Sequence, residues 1–438
     1  MRSPSTPDHD SARPRSPERP AGSAARTLGG VSLALGLPPT TVRSVPVEDL
    51  GELLTRLPDR SPLAWVREGD GIVGWGECAR LEVEGPDTLD RAAAWWDEQA
   101  AAMVVDDRVG LPGSGPVCFG SIAFDRRTAS SVFVVPRVIL GRRDGRSWLT
   151  TLGSDRLVPA PIRPSGPEAV AYSDGALSPA DWCAAVATAV RRIHDGELRK
   201  VVLARDLLAE TTPAVDPRFL LQRLAHRYPE CWTYAVDGLV GATPELLVSR
   251  RGRQVTSRVL AGTVRRGRPD EDDELIAGLV ASGKDQEEHQ YAVASVADAL
   301  RPYLRGLADP GPPEVLRLAT VAHLATVVAG RLAAPTSVLQ LVAALHPTAA
   351  VCGTPTDVAL DLIPELEAMD RHRYAGPIGW MDADGDGDWG IALRCAELDG
   401  QRVRLFAGCG IVAGSDPDAE LAESLAKFVT VRDALEGL

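Results

Sequence analysis

Residues 374–412 have the sequence YAGPIGWMDADGDGDWGIALRCAELDGQRVRLFAGCGIV, and this stretch determines the expected fold class. It predicts three consecutive strands with turns and no helix between them, at Tyr374–Trp380, Trp389–Glu397 and Val403–Val412. The acidic run Asp382–Asp388 begins like a calcium-binding loop. Its twelfth position would be Leu393, where such a loop needs a bidentate acid, so we interpret the run as a hairpin turn.

The rest of the chain mixes strands and helices without a regular strand–helix alternation. A hairpin is predicted around Glu68–Gly71, and Ser178-Pro179 predicts a helix N-terminus. Long helices are predicted at Asp273–Leu304 and Pro417–Leu435, and a single strand at Leu316–Leu332. This order favours an α+β fold with large antiparallel sheets over a parallel α/β fold.

The composition is that of a globular protein with an acidic balance. Of the 438 residues, 45% are hydrophobic, and the net charge of −13 argues against binding to nucleic acid or to an anionic membrane surface. No segment approaches the roughly 18 consecutive apolar residues of a transmembrane helix. Residues 1–30 are rich in Pro, Ser and Arg without an apolar segment, so we expect a disordered leader and no secretory signal.

The cysteines indicate a reducing compartment. Seven cysteines are scattered along the chain without a CxxC pair. This spacing argues against structural zinc and against a disulfide framework, and it favours a cytoplasmic protein with reduced thiols. A lone catalytic cysteine is the alternative to seven small buried hydrophobic side chains.

Two pairs of acids, each spaced by three residues, suggest a metal site. Asp285 and Glu288 form one pair, and Glu420 and Glu423 form the other. On a helix each pair lies on one face, and two such faces brought together would offer the oxygen ligands that suit Mg²⁺. The alternative is two solvated acidic helix faces, which are common.

Two further positions could carry acid–base chemistry. Lys200 begins an apolar strand, and a buried lysine can act as a general base; the alternative is an edge-strand lysine that opposes aggregation. Glu245 follows Thr243-Pro244 at the exit of a strand, and a carboxyl beside an apolar wall can donate a proton; the alternative is a solvated turn residue. Gly408 and Gly410 permit close backbone approach to a carboxylate, or they mark a bulge.

From about Leu198 to Phe428, a series of motifs resembles the family of chorismate-utilising enzymes, which includes isochorismate, salicylate, anthranilate and aminodeoxychorismate synthases. The motifs occur in the order that the family shows. They are KVVLAR at Lys200, GATPELLV at Gly241, LAGTVRRG at Leu260, SGKDQEEH at Ser282, LHPTAAVCGTP at Leu345, YAGPIGW at Tyr374, ALRCA at Ala392, AGCGIV at Ala407 and SDPDAELAESLAK at Ser415. The family often has alanine at the position of Cys409.

The resemblance implies a single α+β domain over residues 31–438, with two stacked antiparallel-rich β-sheets surrounded by helices. It implies chorismate as substrate and Mg²⁺ as cofactor, with Lys200 as base and Glu245 as acid. The implied metal ligands are Glu288 and Glu423 directly, and Asp285 and Glu420 through water. The implied substrate contacts are Gly262, Thr263, His323, Tyr374, Arg394, Gly408, Gly410 and Lys427.

Three positions indicate the branch of the family. Lys200 together with Ala261 resembles the enzymes that use water as nucleophile, and Ala350 resembles isochorismate synthases that lack pyruvate-lyase activity. We therefore expect an isomerase that forms isochorismate for siderophore or menaquinone biosynthesis, without a glutaminase subunit. The alternatives are a salicylate synthase, an anthranilate-type subunit with a glutaminase partner, and a non-catalytic chorismate-binding protein.

Overall fold

The computed structural model describes Met1 and residues 40–153, 158–266, 271–308, 311–319 and 321–438, with only the backbone of Lys284 and Glu288. Apart from Met1, the expected leader at residues 1–30 lies outside the described residues. Residues Pro39–Leu438 form one compact unit. None of the helices in the described ranges combines the length and the apolar composition needed to cross a lipid bilayer.

The described residues form twenty-one strands. They are β1 (Thr40–Val47), β2 (Leu63–Arg67), β3 (Asp70–Val83), β4 (Met103–Asp107), β5 (Val117–Ser121), β6 (Ser131–Arg143), β7 (Arg146–Leu152), β8 (Ala169–Asp174), β9 (Lys200–Thr212), β10 (Trp232–Val236), β11 (Leu239–Thr243), β12 (Leu246–Arg251), β13 (Gln254–Arg265), β14 (Leu304–Leu307), β15 (Glu314–Arg317), β16 (Val321–Leu332), β17 (Gly353–Thr354), β18 (Pro377–Asp382), β19 (Gly387–Ile391), β20 (Cys395–Asp399) and β21 (Arg402–Ile411).

Eight α-helices accompany these strands in the described residues. They are α1 (Thr88–Ala101), α2 (Pro179–His194), α3 (Pro217–Arg227), α4 (Asp272–Ala281), α5 (Gly283–Leu300), α6 (Val338–Leu345), α7 (Thr356–Glu367) and α8 (Pro417–Glu436). Short 3₁₀ turns lie at Leu53–Arg56 and Arg301–Tyr303. The predicted start of α2 is confirmed, because the Ser178 side chain accepts a hydrogen bond from the Asp181 N–H and Pro179 occupies the first helical position.

Strand β6 joins two arms of the strand network. Nearly all of its residues are buried, and it pairs with β3 along one edge and with β5 and then β7 along the other. One arm runs from β3 through β2, β10, β11, β20 and β21 to β9 and β8. The other runs from β5 through β18, β19, β12 and β13 to β16, which also pairs with β14 and β15.

The expected α+β class is confirmed. The pairs within both arms are antiparallel, while β1 and β4 pair in parallel. The hairpin predicted around Glu68–Gly71 is formed by β2 and β3. Hydrogen bonds connect the two arms through β6, so the antiparallel sheets form one continuous network.

Three predicted elements are interrupted in the structure. The helix predicted at Asp273–Leu304 divides into α4 and α5, because Ser282 is extended and its side chain accepts the Asp285 N–H to cap α5. The strand predicted at Leu316–Leu332 is the hairpin β15–β16, which reverses where the Leu318 N–H bonds to the Val321 carbonyl. The strand predicted at Trp389–Glu397 divides into β19 and β20 at Ala392–Arg394.

A buried ion pair fastens helix α7 to strand β9. The Arg371 guanidinium contacts the Glu367 carboxylate at 2.5 Å, and the two side chains are 2% and 0% exposed. Glu367 also accepts the Ala204 N–H at 2.6 Å, and Arg371 donates to the Val202 carbonyl at 2.8 Å. Each buried charge therefore has both an opposite charge and backbone partners, as burial of an ion pair requires.

We expect Arg371→Met to lower the free energy of unfolding by about 3–5 kcal/mol, because it leaves the Glu367 carboxylate buried without its cation. Denaturant titration followed by circular dichroism measures the change. Arg192→Met is the matched control, since Arg192 pairs with Glu365 at the surface, where the side chains are 34% and 56% exposed. That exposed pair should contribute at most about 1 kcal/mol. Equal losses in the two variants would contradict the assignment.

Candidate active site

A cavity of about 120 Å³ lies where the two arms of the strand network face each other. The first arm contributes Val202 of β9 and Gly408 of β21, and the second contributes Thr263 of β13 and His323 of β16. Helix α8 adds Lys427. Of the predicted site residues, the cavity lining contains Glu245, Thr263, His323, Tyr374, Arg394, Gly408 and Lys427.

Glu245 is a half-buried acid at the wall of this cavity. It follows the break between β11 and β12, and its N–H donates to the Thr243 hydroxyl at 3.2 Å. Burial raises the pKa of Glu245 to about 7, although the charges of Arg394, Lys200 and Arg258 act in the opposite direction. The carboxyl can therefore hold a proton near neutral pH and release it to a bound molecule.

The Arg258 side chain supports the turn that carries Glu245. Its Nε and Nη2 atoms donate to the Pro244 carbonyl at 3.2 and 2.5 Å. The guanidinium lies 4.5 Å from the Trp232 ring centroid, and the Arg67 guanidinium lies 4.6 Å from the same ring. Burial lowers the pKa of Arg258 to about 10, with the Arg67 charge acting in the same direction, and the side chain stays cationic at neutral pH.

Arg394 lies at the interruption between β19 and β20. Its backbone has a positive φ of 50°, and its carbonyl accepts the Ala242 N–H at 3.2 Å. Within the described parts of the chain, no carboxylate forms an ion pair with the Arg394 guanidinium. A cationic side chain at a cavity wall without an internal counter-ion is suited to binding an anionic ligand.

Tyr374 closes one side of the cavity next to strand β21. Its ring stacks on Phe406 with the centroids 4.8 Å apart and an interplanar angle of 8°. A Cβ atom added at Gly408 would lie 3.0 Å from the Tyr374 hydroxyl oxygen. A side chain at position 408 would displace the tyrosine, so glycine keeps this part of the cavity open.

His323 is a neutral imidazole at the cavity wall. Its Nδ1 atom lies 2.9 Å from the Thr263 hydroxyl, while its buried Nε2 atom has no hydrogen-bond partner among the described residues. Burial, together with the charges of Arg394 and Lys427, lowers the pKa of His323 to about 3. A buried unpaired ring nitrogen facing a cavity is a group that a ligand can satisfy.

Lys200 lies beside the cavity. Neither Lys200 nor Gly410 is part of the cavity lining. Lys200 and Val202 share one face of β9, and Val202 pairs with Gly410 of β21. A Cβ atom at position 410 would lie 3.1 Å from the Lys200 Cε and 3.5 Å from its Nζ. The glycine therefore lets the lysine chain lie across β21 next to the cavity.

The two acids on α8 approach each other, as predicted. Carboxylate oxygens of Glu420 and Glu423 and the Cys409 sulfur all lie within 4.8 Å of one another. Although burial raises the pKa of Glu423, the nearby Lys427 ammonium, 2.6 Å from its Oε1, brings the net pKa below the usual value. Lys427 also donates to the Gly408 carbonyl at 2.8 Å.

The acids on α5 are described only in part. Asp285 lies in the first turn of α5, next to Gly262, where a Cβ atom would lie 3.3 Å from the Asp285 Cβ. Gly262 has a φ of 74° at a bulge in β13, so its left-handed backbone brings β13 up to the helix. The Glu288 side chain lies outside the described residues.

Two side chains connect the acid-bearing helices to the same part of the sheet. His289 of α5 bonds to the Ala261 carbonyl of β13 at 3.2 Å and to the Thr326 hydroxyl of β16 at 2.7 Å. Arg265 of β13 donates to the Ala422 carbonyl of α8. Carboxylate oxygens at this position fit a hard divalent cation such as Mg²⁺.

Two arginine side chains near the cavity were not predicted from the sequence. Arg258 was not identified, because its partners at Pro244 and Trp232 become neighbours only through strand pairing. Arg371 lines the cavity and bonds to the Val351 carbonyl at 2.8 Å. The spacing of Glu367 and Arg371 by four residues was the available signal for that pair.

Comparison with known proteins gives consistent matches over most of the chain. A family model described as "Chorismate binding enzyme" matches residues 61–154 and 160–436. Isochorismate synthase DhbC of Bacillus subtilis is 43% identical over 59% of this chain and 68% of its own. The salicylate biosynthesis isochorismate synthase of Pseudomonas aeruginosa is 41% identical over 86% of this chain and 85% of its own.

The fold also matches a solved structure. The menaquinone-specific isochorismate synthase MenF of Escherichia coli has a TM-score of 0.76 at 28% identity, over 91% of this chain and 95% of its own.

We expect Arg258→Met to raise the pKa of Glu245, because the substitution removes one of the three cations that oppose the effect of burial. Difference infrared spectroscopy can follow the carboxyl band that disappears in Glu245→Gln. Arg253→Met is the control, since Arg253 lies in the exposed turn between β12 and β13 and donates to the Leu332 carbonyl. An unchanged or lowered pKa in Arg258→Met would contradict the charge assignment.

Proposed function

The chain belongs to the family of chorismate-binding enzymes, and from this premise we propose that it converts chorismate to isochorismate. Chorismate carries two carboxylates and a C4 hydroxyl, so its site needs cations, a base and an acid. The observation that carries the proposal is the Arg394 guanidinium, which lacks a carboxylate partner in the described residues and lies in the same cavity as the proton-holding Glu245.

The substrate carboxylates are assigned to the cations of the cavity. Arg394 and the Tyr374 hydroxyl bind the side-chain carboxylate, with the Gly408 and Gly410 backbone beside it. Lys427 binds a second carboxylate and already has the Glu423 oxygen and the Gly408 carbonyl as partners that fix its position. Such charge-assisted contacts orient the ring and hold it against the acid and the base.

The reaction exchanges a hydroxyl between two ring carbons. Lys200 acts as the base in its neutral amine form and takes a proton from a water molecule, whose oxygen forms a bond to C2. The ring double bond shifts, and the C4–O bond breaks as Glu245 donates its proton to the departing hydroxyl. Water is consumed at C2 and released from C4, so the reaction is an isomerisation.

His323 and Thr263 form the wall next to the ring, and Gly262 precedes Thr263 in β13. The neutral imidazole offers its unpaired Nε2 to a polar group of the substrate, while the Thr263 hydroxyl holds Nδ1. Because burial keeps His323 neutral, it does not compete with Glu245 as a proton donor.

The acids of α5 and α8 are assigned to one Mg²⁺ ion. Glu288 and Glu423 would bind it directly, and Asp285 and Glu420 would reach it through water. When held by these acids, the ion would neutralise charge on the ring carboxylate. The closeness of the Glu420 and Glu423 oxygens supports this assignment.

The proposed product is isochorismate without release of pyruvate, for siderophore or menaquinone biosynthesis, and the name of the Escherichia coli relative carries the menaquinone role. Ala350 lines the cavity, which supports its assignment as the position that distinguishes the branches. Chorismate is the proposed small-molecule partner, and no glutaminase subunit is required because water is the nucleophile.

The test is incubation of the purified chain with chorismate and Mg²⁺, followed by chromatographic separation of the products. We expect isochorismate to form, with neither salicylate nor free pyruvate, and chelation by EDTA to stop its formation until Mg²⁺ is restored. Release of pyruvate would indicate a salicylate synthase. Formation of anthranilate only when ammonia is added would indicate the amine-transferring branch, and binding of chorismate without any product would overturn the enzymatic proposal.

The pH dependence tests the acid. Glu245 must be protonated to donate, so we expect kcat/KM to fall as the pH rises through about 7, the pKa of this carboxyl. Glu245→Gln should lose about 10²- to 10⁴-fold in kcat and also lose this limb of the profile. Lys200→Ala should lose a similar factor while chorismate binding, measured by calorimetry, stays nearly unchanged. A wild-type turnover rate in either variant would remove that residue from the mechanism.

A further inference from the structure

Cys409 adds a sulfur to the acidic cluster of α8. Gly408 and Gly410 lie on the side of β21 that faces the Lys200 chain and the cavity, so the intervening Cys409 lies on the opposite side. Its thiol donates to the Glu420 carbonyl at 3.4 Å, which places the sulfur against α8.

Three potential ligand atoms from two elements converge at this point. The Cys409 sulfur and one oxygen each of Glu420 and Glu423 lie within 4.8 Å of one another. Zinc binds Cys sulfur at about 2.3 Å and carboxylate oxygen at about 2.0–2.2 Å, so small side-chain rotations bring three atoms at this spacing onto one ion. The Ser415 hydroxyl, 2.8 Å from the Glu420 Oε1, fixes that carboxylate for ligation. The Lys427 ammonium lies 2.6 Å from the Glu423 Oε1, so a metal ion there would replace it as the cation that this carboxylate binds.

We propose that Cys409, Glu420 and Glu423 form a site for thiophilic divalent cations such as Zn²⁺, which competes with Mg²⁺ for the two glutamates. The competition rests on the proposed function, while the binding of Zn²⁺ does not. Sulfur favours Zn²⁺ and Cd²⁺ over Mg²⁺, which prefers oxygen ligands. On binding, the thiol proton leaves to solvent as the S–Zn bond forms.

The route to the site lies along α8. Cys409 is fully buried, whereas Glu420 and Glu423 are partly exposed. A cation therefore meets the carboxylates first and the sulfur second. A Zn²⁺ ion held there ties Glu420 and Glu423 to the back of β21 and withdraws them from an ion on the cavity side, so it would act as an inhibitor.

Cadmium is a direct probe of the sulfur, because a Cd–thiolate bond gives an ultraviolet charge-transfer band that carboxylates do not give. The full chain is first made with Cys78→Ala and Cys183→Ala, which removes the two cysteines that are not buried. In this background we expect one equivalent of Cd²⁺ to give the band. Adding Cys409→Ala or, as an isosteric second variant, Cys409→Ser should abolish it, and circular dichroism confirms that both variants fold.

Calorimetry with Zn²⁺ in excess Mg²⁺ measures the affinity. Loss of a direct ligand in Cys409→Ala should weaken Zn²⁺ binding by at least the roughly 10- to 100-fold that loss of an outer-shell partner costs. Glu423→Gln should weaken it as well, whereas Asp418→Asn, on the same helix, should not. No band in the parent chain, or a band that persists in both Cys409 variants, would overturn the site. The product assay is independent, so a failure of the proposed reaction would leave this result interpretable.

Discussion

The cavity depends on an excess of positive charge held inside a chain whose net charge is −13. The same few cations act on three titratable groups. Burial raises the pKa of Glu245 while Arg394, Lys200 and Arg258 limit the rise to about 7. Burial and the charges of Arg394 and Lys427 keep His323 neutral, and Lys427 keeps Glu423 ionised. One arrangement of cations thus acts on an acid with a pKa near neutrality, a neutral imidazole and an ionised carboxylate, all at or beside one cavity.

Two interrupted strands hold this arrangement in place. Glu245 follows the break between β11 and β12, and Arg394 lies at the break between β19 and β20. The backbones of the two breaks bond to each other, because the Ile391 N–H donates to the Glu245 carbonyl at 3.3 Å and the Ala242 N–H donates to the Arg394 carbonyl at 3.2 Å. Gly390 is required between them, since a Cβ atom there would lie 2.7 Å from the Glu245 carbonyl oxygen. The Glu245 carboxyl and the Arg394 guanidinium are therefore positioned by the same backbone contacts.

Local sequence patterns predicted those features that interactions between residues near each other in the sequence determine. The cap at Ser178 and the approach of Glu420 and Glu423 on α8 follow from spacing along one helix. The break at Arg394 could not be predicted, because the apolar pattern from Trp389 to Glu397 is continuous and the break arises from partners on other strands. The role of Arg258 could not be predicted for the same reason. Its partners become its neighbours only because Leu246 of β12 pairs with Arg258 of β13. The placement of Glu288 stays a prediction.

The charge of the substrate changes the balance between burial and positive charge that sets the pKa of Glu245. Under the proposed function, a dianion binds to Arg394 and Lys427 and offsets the cations that hold down the pKa of Glu245. The bound ring also excludes water from the cavity, and both effects favour the protonated carboxyl. The pKa of Glu245 therefore rises when the substrate binds, without a conformational change. The Arg258 charge opposes this rise in the pKa of Glu245. Because Arg258 lies behind the turn, where no substrate group reaches it, its charge still limits the pKa when the substrate is bound. Glu245 can therefore still transfer its proton to the departing hydroxyl.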